Sequence, residues 1–228
     1  MRRYLPGLLL VSPALAIIVF LFLVPLAGAV TGAFQDADGG FSFGNFIKTY
    51  QLYSNDILFT IVIVALSALL TAALSVAIAG YLTLGTSPAA VAILRWLYRW
   101  PLFIPFIVVG QILRTFLAKN GLMNNIFVAT GLITPLHTVG FLDWRGIVIA
   151  FVWKQTPFVT LLLAGAMASI DRGTVEAARN LGASRLRILL EIVLPQAAPT
   201  LMVALTLSIV TMMSVLSVPL MIASQSPT

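Results

Sequence analysis

The stretch LFTIVIVALSALLTAALSVAIAGYLTL, residues 58–84, contains no Asp, Glu, Lys or Arg. A helix that crosses the hydrocarbon core of a bilayer needs about 20 predominantly apolar residues, and this stretch exceeds that length. Residues 4–35 and 192–228 also lack these charged side chains. The sequence therefore predicts an all-α, polytopic transmembrane protein whose helices pack as a bundle.

The composition excludes several other classes of protein. Only 9% of the 228 residues are charged, whereas a typical soluble domain has about 25%. Cysteine is absent, and we expect the lone His137 to be a surface residue, so no metal site is predicted. The net charge of +6 comes from dispersed basic residues, and we expect no nucleic-acid partner.

The chain is predicted to be one transmembrane domain, residues 1–228, with five visible spans. The spans are expected at residues 8–31, 58–84, 100–116, 146–170 and 199–222. The first should stay uncleaved, because its apolar run is longer than the signal-peptide core of about 7–15 residues. Between spans we expect a short surface helix at 45–53, a loop at 85–99 and a surface or re-entrant helix at 126–133.

The basic residues set the predicted orientation. With the N-terminus inside, the inner segments hold Arg2, Arg3, Arg95, Arg99, Arg172, Arg179, Arg185 and Arg187. The outer segments hold only Lys48, Arg114, Lys119 and Arg145. Because cytoplasmic loops carry the excess of Lys and Arg, the N-terminus and the loop at 171–196 are predicted to be cytoplasmic.

The loop at 171–196 has the pattern of two helices separated by a break. The run EAAR at 176–179 favours a helix, and Gly182 is placed to end it in a left-handed conformation. Ser184 suits the N-cap of a second helix, which we expect Pro195 to stop.

This loop resembles the EAA loop of ABC importer permeases. The pattern E-A-A, three residues, G, nine residues, I-x-L-P is matched throughout, by Glu176, Ala177, Ala178, Gly182, Ile192, Leu194 and Pro195. An amphipathic interfacial helix would explain the loop's arginines and leucines, but not these residues in register. The topology of the whole chain is similar to that family, whereas motif-level detail is confined to the loop.

The resemblance implies a coupling helix that docks on a cytoplasmic ABC ATPase. The predicted coupling residues are Glu176, Ala177, Ala178, Arg179, Gly182, Arg185 and Arg187. The three arginines among them are expected to pair with acidic groups of the ATPase. It also implies a second permease subunit, identical or homologous, an external solute-binding protein and a bacterial inner-membrane location. Family members usually have one more span after the fifth, and we expect that final span to be missing here.

No G-x-x-x-x-G-K-[ST] phosphate-binding motif occurs in the sequence. We also find no catalytic carboxylate pair and no Ser/His/Asp set. The chain is therefore expected to be neither an enzyme nor a holder of cofactors, with ATP and Mg²⁺ bound by the partner ATPase.

Lys154 lies in the middle of the fourth predicted span, where a lysine costs roughly 2.5–3.5 kcal/mol on insertion scales. With Gln155 and Thr156, it is expected to line the translocation path or pair helices; the alternative is a lysine that snorkels outward. Residues 153–158 resemble a stretch of sugar-type permeases, and 119–125 one of polyamine-type permeases. The predicted substrate is accordingly a sugar-like or polyamine-like small solute.

Two other functions remain open. A secondary transporter driven by an ion gradient usually needs intramembrane acidic sites, and no Asp or Glu lies in a predicted span. A non-transport membrane scaffold would not bind an ATPase through residues 176–187.

Overall fold

A computed structural model describes residues 5–36 and 39–223 of the chain, with side chains from residue 10 onward. Within these ranges the regular structure is helical, apart from one isolated bridge between Gln35 and Phe41. The chain forms two compact units, Met1–Leu58 and Phe59–Thr228. The predicted all-α class is confirmed, and the single-domain assignment stays a prediction.

Eleven α-helices are present in the described residues. They are α1 (Leu5–Ile18), α2 (Val24–Ala33), α3 (Gly44–Leu84), α4 (Pro88–Leu97), α5 (Phe106–Leu117), α6 (Leu122–Ala129), α7 (Trp144–Ala168), α8 (Arg172–Asn180), α9 (Arg185–Ile188), α10 (Leu194–Ser214) and α11 (Ser217–Ile222). The remaining helical turns are the π turns Val19–Leu23 and Leu189–Val193 and the 3₁₀ turns Trp100–Phe103 and Pro135–His137.

Four stretches of the described residues are long and apolar enough to cross a membrane as single helices. They are Leu10–Ala33, Gly44–Leu84, Trp144–Ala168 and Arg185–Ser214. A fifth crossing is possible only if the bent pair Pro88–Phe103 and Phe106–Ala129, which meet at 107°, counts as one span. The first, second and fourth predicted spans therefore correspond to helices, while the other two need correction.

In the first unit, α1 and α2 are joined without interruption through the π turn Val19–Leu23. The Val24 N–H donates to the carbonyl of Val19, one residue further back than in an α-helix. Pro25 follows directly, and a proline ring clashes with the carbonyl four residues before it in a regular helix. The wider turn lets the helix continue past Pro25.

The polar segment after α2 is ordered by an aromatic cluster in the same unit. Phe34 contacts Phe41, Phe43 and Phe46 with ring centroids 5.0 to 5.7 Å apart. The Asn45 side chain donates to the carbonyl of Gln35 at 2.9 Å. These contacts fold the segment back on itself before α3 begins.

The short surface helix predicted at 45–53 is not a separate element, because α3 runs unbroken from Gly44 to Leu84 over 41 residues. The sequence has no Gly or Pro between Gly44 and Gly80, so nothing in the backbone chemistry ends the helix before the apolar stretch. The longer helix also takes in Asp56, which lies two residues before the predicted span at 58–84.

In the second unit, α3 buries a face of small side chains. Ser67, Thr71, Ser75 and Ala79 recur every four residues and are fully buried. Small residues let membrane helices approach closely, and the Ser75 hydroxyl reaches the carbonyl of Thr156 on α7 at 3.3 Å. This face of α3 therefore packs inside the bundle.

The third predicted span, 100–116, is wrong as a continuous helix. A 3₁₀ turn ends at Phe103, Ile104 is extended, and α5 starts only after Pro105. Pro105 has no N–H to donate to the preceding turn, and at 12 residues α5 is too short to cross a bilayer alone.

The predicted loop at 85–99 contains α4. The Ser87 hydroxyl accepts from the Ala90 N–H, and Pro88 occupies the first turn. A serine N-cap followed by proline starts helices favourably, so this helix has a start signal that the loop prediction missed.

The fifth predicted span, 199–222, is displaced toward the N-terminus. The helix passes Pro195, where the Leu194 N–H donates to Leu189 through a π turn, as at Pro25. It ends at Ser214, before the extended Val215. Pro195 therefore does not stop the helix, which takes in the carboxylate of Glu191.

The core of the second unit lies along α7, which packs against α10 at one end and against α5 and α11 at the other. The predicted helix at 126–133 is present as α6, a few residues earlier. The ends of α7 thus carry two different loops, one containing α6 and the other containing α8.

Candidate functional site

The loop at 171–196 is built around α8 and a glycine turn. Asp171 caps the start of α8 by accepting the Gly173 N–H at 3.2 Å. At the other end the Ala183 N–H donates to Ala178 at 3.0 Å and the Gly182 N–H to Arg179 at 2.9 Å. Gly182 has φ +80°. This is the Schellman arrangement, which glycine favours because it has no Cβ.

The two sides of α8 have different surroundings. Val175 and Ala178 are partly buried against a core cluster that includes Met167 and Ile188. Glu176, Ala177 and Arg179 are exposed. One face of α8 is therefore packed on the bundle, while another is available to a partner.

Leu181 ends the segment 176–181 that the motif predicts to dock, although it is not one of the seven named coupling residues. Its side chain is 88% exposed at the end of α8, beside the turn at Gly182. A leucine in a short, charged loop is the only sequence sign of this exposure, and that sign does not separate it from the buried leucines nearby. Single exposed apolar side chains are common on protein surfaces, so Leu181 is a candidate contact because of its place between the motif residues Arg179 and Gly182.

After the turn, Ser184 starts the next helix by accepting the Arg187 N–H at 3.3 Å. Arg185 and Arg187 are both exposed, and Arg187 lies 3.7 Å from the carboxylate of Glu191. Exposed ion pairs of this kind are worth about 0–1 kcal/mol, so Arg187 can exchange this partner readily.

Lys154 lies inside the bundle and does not extend outward. Its ammonium donates to the carbonyls of Pro101 at 2.7 Å and Leu102 at 3.1 Å, and lies 5.3 Å from the ring centre of Phe106. In a continuous helix, the Pro101 carbonyl would accept from residue 105, which is a proline without an N–H. The Ile104 N–H donates to the Pro101 carbonyl at 3.3 Å, so Lys154 adds a second donor at Pro101 and supplies one to Leu102.

The neighbours of Lys154 make similar contacts. Gln155 is 5% exposed and its amide donates to the carbonyl of Ser208 on α10 at 3.5 Å. Thr156 donates to its own helix, at Val152, and its carbonyl accepts from Ser75. All three predicted path residues thus contact backbone carbonyls inside the bundle, and their role in a path stays a prediction.

His137 lies on an exposed turn with its Nδ1 atom 2.6 Å from the Thr134 hydroxyl. In the residues that the structure describes, no group of three or more His, Asp or Glu side chains could hold a metal ion.

Comparison with known proteins gives a consistent set of relatives. Residues 76–228 match the family described as the binding-protein-dependent transport system inner membrane component. A probable ABC transporter permease protein of Sinorhizobium fredii is 38% identical over 79 residues, which cover 35% of this chain and 14% of that protein. The sn-glycerol-3-phosphate transport system permease protein of Escherichia coli is 29% identical over 232 residues, covering 91% of this chain and 72% of that protein.

The fold also has a counterpart among solved structures. A crystal structure of a bacterial ABC transporter involved in the import of alginate matches with a TM-score of 0.78 at 22% identity, covering 94% of this chain and 75% of that one. Against most of the curated relatives the chain spans less than two thirds of their length, as it does for the Sinorhizobium protein. The family match covers more than half of the chain, and the chain belongs to the family of binding-protein-dependent transport system inner membrane components.

Proposed function

We propose that the chain is a membrane-spanning subunit of an ATP-driven importer, and that α8 docks on a cytoplasmic ABC ATPase. The observation that carries this proposal is the geometry of α8, with Val175 and Ala178 packed on the bundle and Leu181 exposed at its end. An apolar side chain this exposed beside the motif residues is available for contact with a partner protein.

The packing of α8 offers a route for mechanical coupling. Val175 and Ala178 lie against the cluster that contains Met167 of α7 and Ile188 of α9. Protein interiors are close-packed and transmit displacement. When ATP binding closes the ATPases, a movement of α8 would therefore pass to the two long helices on either side of the loop and change access across the membrane.

The remaining partners and the cargo follow from the relatives. We propose a second permease subunit, identical or homologous, and an external solute-binding protein, since one matching structure is of an alginate transporter with its periplasmic protein. ATP and Mg²⁺ would be bound by the ATPase. The cargo would be a small solute of the sugar or polyamine class, as in the trehalose/maltose and spermidine/putrescine permeases that match this chain.

The orientation and the docking face can be tested together with single cysteines, because the chain has none. His137 and Ala177 are exposed on the loops at opposite ends of α7, a 25-residue helix about 37 Å long. In intact cells, a membrane-impermeant thiol reagent should label His137→Cys and not Ala177→Cys. In inverted vesicles, Ala177→Cys should react, and bound ATPase should protect it. Labelling of Ala177→Cys from outside the cell would refute the proposed topology.

Gly182→Val should impair ATPase binding and uptake, because valine at φ +80° is strained by about 1–2 kcal/mol and the turn would re-aim α8. Gly131→Val is the matched control: Gly131 has φ +73°, and a Cβ at either glycine would meet nothing within 4 Å. We expect similar losses of thermal stability in both variants and a loss of ATPase co-purification only in Gly182→Val. Equal uptake by the two variants would argue against a role for the turn.

A further inference from the structure

A cavity of about 620 Å³ lies behind α8 in the second unit. Its wall includes four arginines, Arg95, Arg99, Arg172 and Arg179, and one carboxylate, Glu176. Glu176 and Arg179 are also predicted coupling residues, but the proposed docking role of α8 does not account for Arg95, Arg99 and Arg172. With four arginines against one carboxylate, the wall has an excess of positive charge that favours an anion.

The arginines converge from two helices. Arg95 lies in the last turn of α4 and Arg99 just beyond it, four residues apart, whereas Arg172 and Arg179 lie on the face of α8 that also carries Val175. Residues three, four and seven apart share one helical face. The two helices therefore present two arginines each to one space.

These arginines have spare hydrogen-bonding capacity. Among the residues that the structure describes, no ion pair within 4.0 Å involves any of the four. Arg99 uses its Nε atom, which donates to the Tyr98 hydroxyl at 3.3 Å, so its two terminal nitrogens stay available. Planar guanidinium groups with free donors bind phosphate oxygens in a bidentate manner.

The surroundings indicate where the phosphate comes from. Trp96 and Trp100 flank Arg95 and Arg99, are 60% and 55% exposed, and contact each other at 4.7 Å between ring centroids. Exposed tryptophans are enriched where a helix meets the lipid headgroups. The cavity wall also includes apolar side chains such as Leu82 and Leu161, which suit the upper part of an acyl chain.

We propose that this cavity binds the phosphate of an anionic lipid headgroup, which then bridges α4 and α8. Basic pockets between membrane helices on the cytoplasmic side are suited to such headgroups. The inference depends on the proposed function only for which leaflet supplies the lipid. By linking α4 to α8, the lipid would hold the docking helix in place against the bundle.

The test is native mass spectrometry of the purified full chain titrated with phosphatidylglycerol or phosphatidylcholine. Both lipids carry a phosphate, but the choline cation of phosphatidylcholine offsets its charge and is repelled by the arginines, so we expect phosphatidylglycerol to bind at least about tenfold more tightly. The double variant Arg95→Gln/Arg99→Gln should lose most of this preference, because only Arg172 and Arg179 remain in the wall. Arg185→Gln, an exposed arginine on the same loop that is not part of the cavity wall, should keep the preference.

Three results would overturn the proposal: equal binding of the two lipids by the unmodified chain, an unchanged preference in the double variant, or displacement of phosphatidylglycerol by equimolar inorganic phosphate. The first comparison needs no variant, so it stands even if the double variant fails to fold. Neither Arg95 nor Arg99 belongs to the predicted coupling residues. The lipid proposal and the ATPase-docking proposal are therefore tested separately, and either can be refuted without the other.

Discussion

Leu181→Asp is expected to weaken ATPase docking at least about 30-fold and to impair ATP-driven uptake while leaving the stability of the chain unchanged. The side chain is 88% exposed, so its replacement removes no packing within this chain, and surface substitutions of this kind usually change stability by no more than about 0.5 kcal/mol. A charge placed at the centre of an apolar contact should cost at least about 2 kcal/mol of binding, or roughly 30-fold in affinity.

The measurements are ATPase co-purification, uptake in reconstituted vesicles and thermal unfolding of the isolated chain. Leu136→Asp is a matched control, because Leu136 is 92% exposed on the loop at the other end of α7. It should leave ATPase binding intact. If Leu181→Asp retains both binding and uptake, or if Leu136→Asp loses binding equally, the exposed end of α8 is not the docking element.

The sequence predicts a span well where the side chains themselves mark it, by a lack of charge or by a capping residue at its start. The helix over 58–84 lacks charge, and α7 is preceded by Asp143, which accepts the Arg145 N–H. The turn at Gly182 was predictable for the same reason, since only glycine adopts a positive φ without strain. Local rules therefore gave the all-α class and the two-helix form of the loop.

Two of the errors concern prolines, whose effect depends on what surrounds them. Pro195 was expected to stop a helix, yet the helix passes it through a π turn. Pro105 was expected inside a span, yet the helix breaks there. Both prolines remove the same donor, and what differs is how the freed carbonyls are satisfied. That depends on side chains distant in sequence, which a local pattern does not contain.

The position of the site in the chain could be predicted, but which of its side chains are exposed and which are buried could not. The motif located α8, whereas the exposure of Leu181 and the burial of Ala178 depend on how α8 lies against α7 and α9. For this reason a charge at Ala178, which the motif alone recommends as a test of docking, would disturb packing as well. Leu181 gives a cleaner test.

Lys154→Met is expected to destabilise the bundle, because it removes the donor that serves the carbonyls of Pro101 and Leu102. The Pro101 carbonyl keeps the Ile104 N–H, whereas the Leu102 carbonyl loses its donor, and no water replaces that donor in the bilayer interior. The contact with the Phe106 ring would be lost as well. A buried acceptor left without a partner costs about 1–3 kcal/mol, and we expect a loss of that size, measured as thermal unfolding in detergent.

Lys119→Met is the control for the charge, since Lys119 is exposed and its removal should leave the unfolding temperature unchanged. Lys154→Gln should recover part of the loss, because the amide still donates, although the shorter side chain cannot reach both carbonyls. An unfolding temperature for Lys154→Met equal to that of the parent chain would refute the structural role.

The same variants distinguish two roles of Lys154: support of the break between α4 and α5, and direct contact with the solute. If Lys154 serves the break, Lys154→Met should lower stability and the maximal rate of uptake for every solute that the transporter carries, and Lys154→Gln should partly restore both. If Lys154 instead contacts solute, KM should rise selectively for one charge class of solute while the unfolding temperature stays constant. The Lys154 ammonium donates to two backbone carbonyls of the protein itself, both within 3.1 Å. These contacts favour the role at the break.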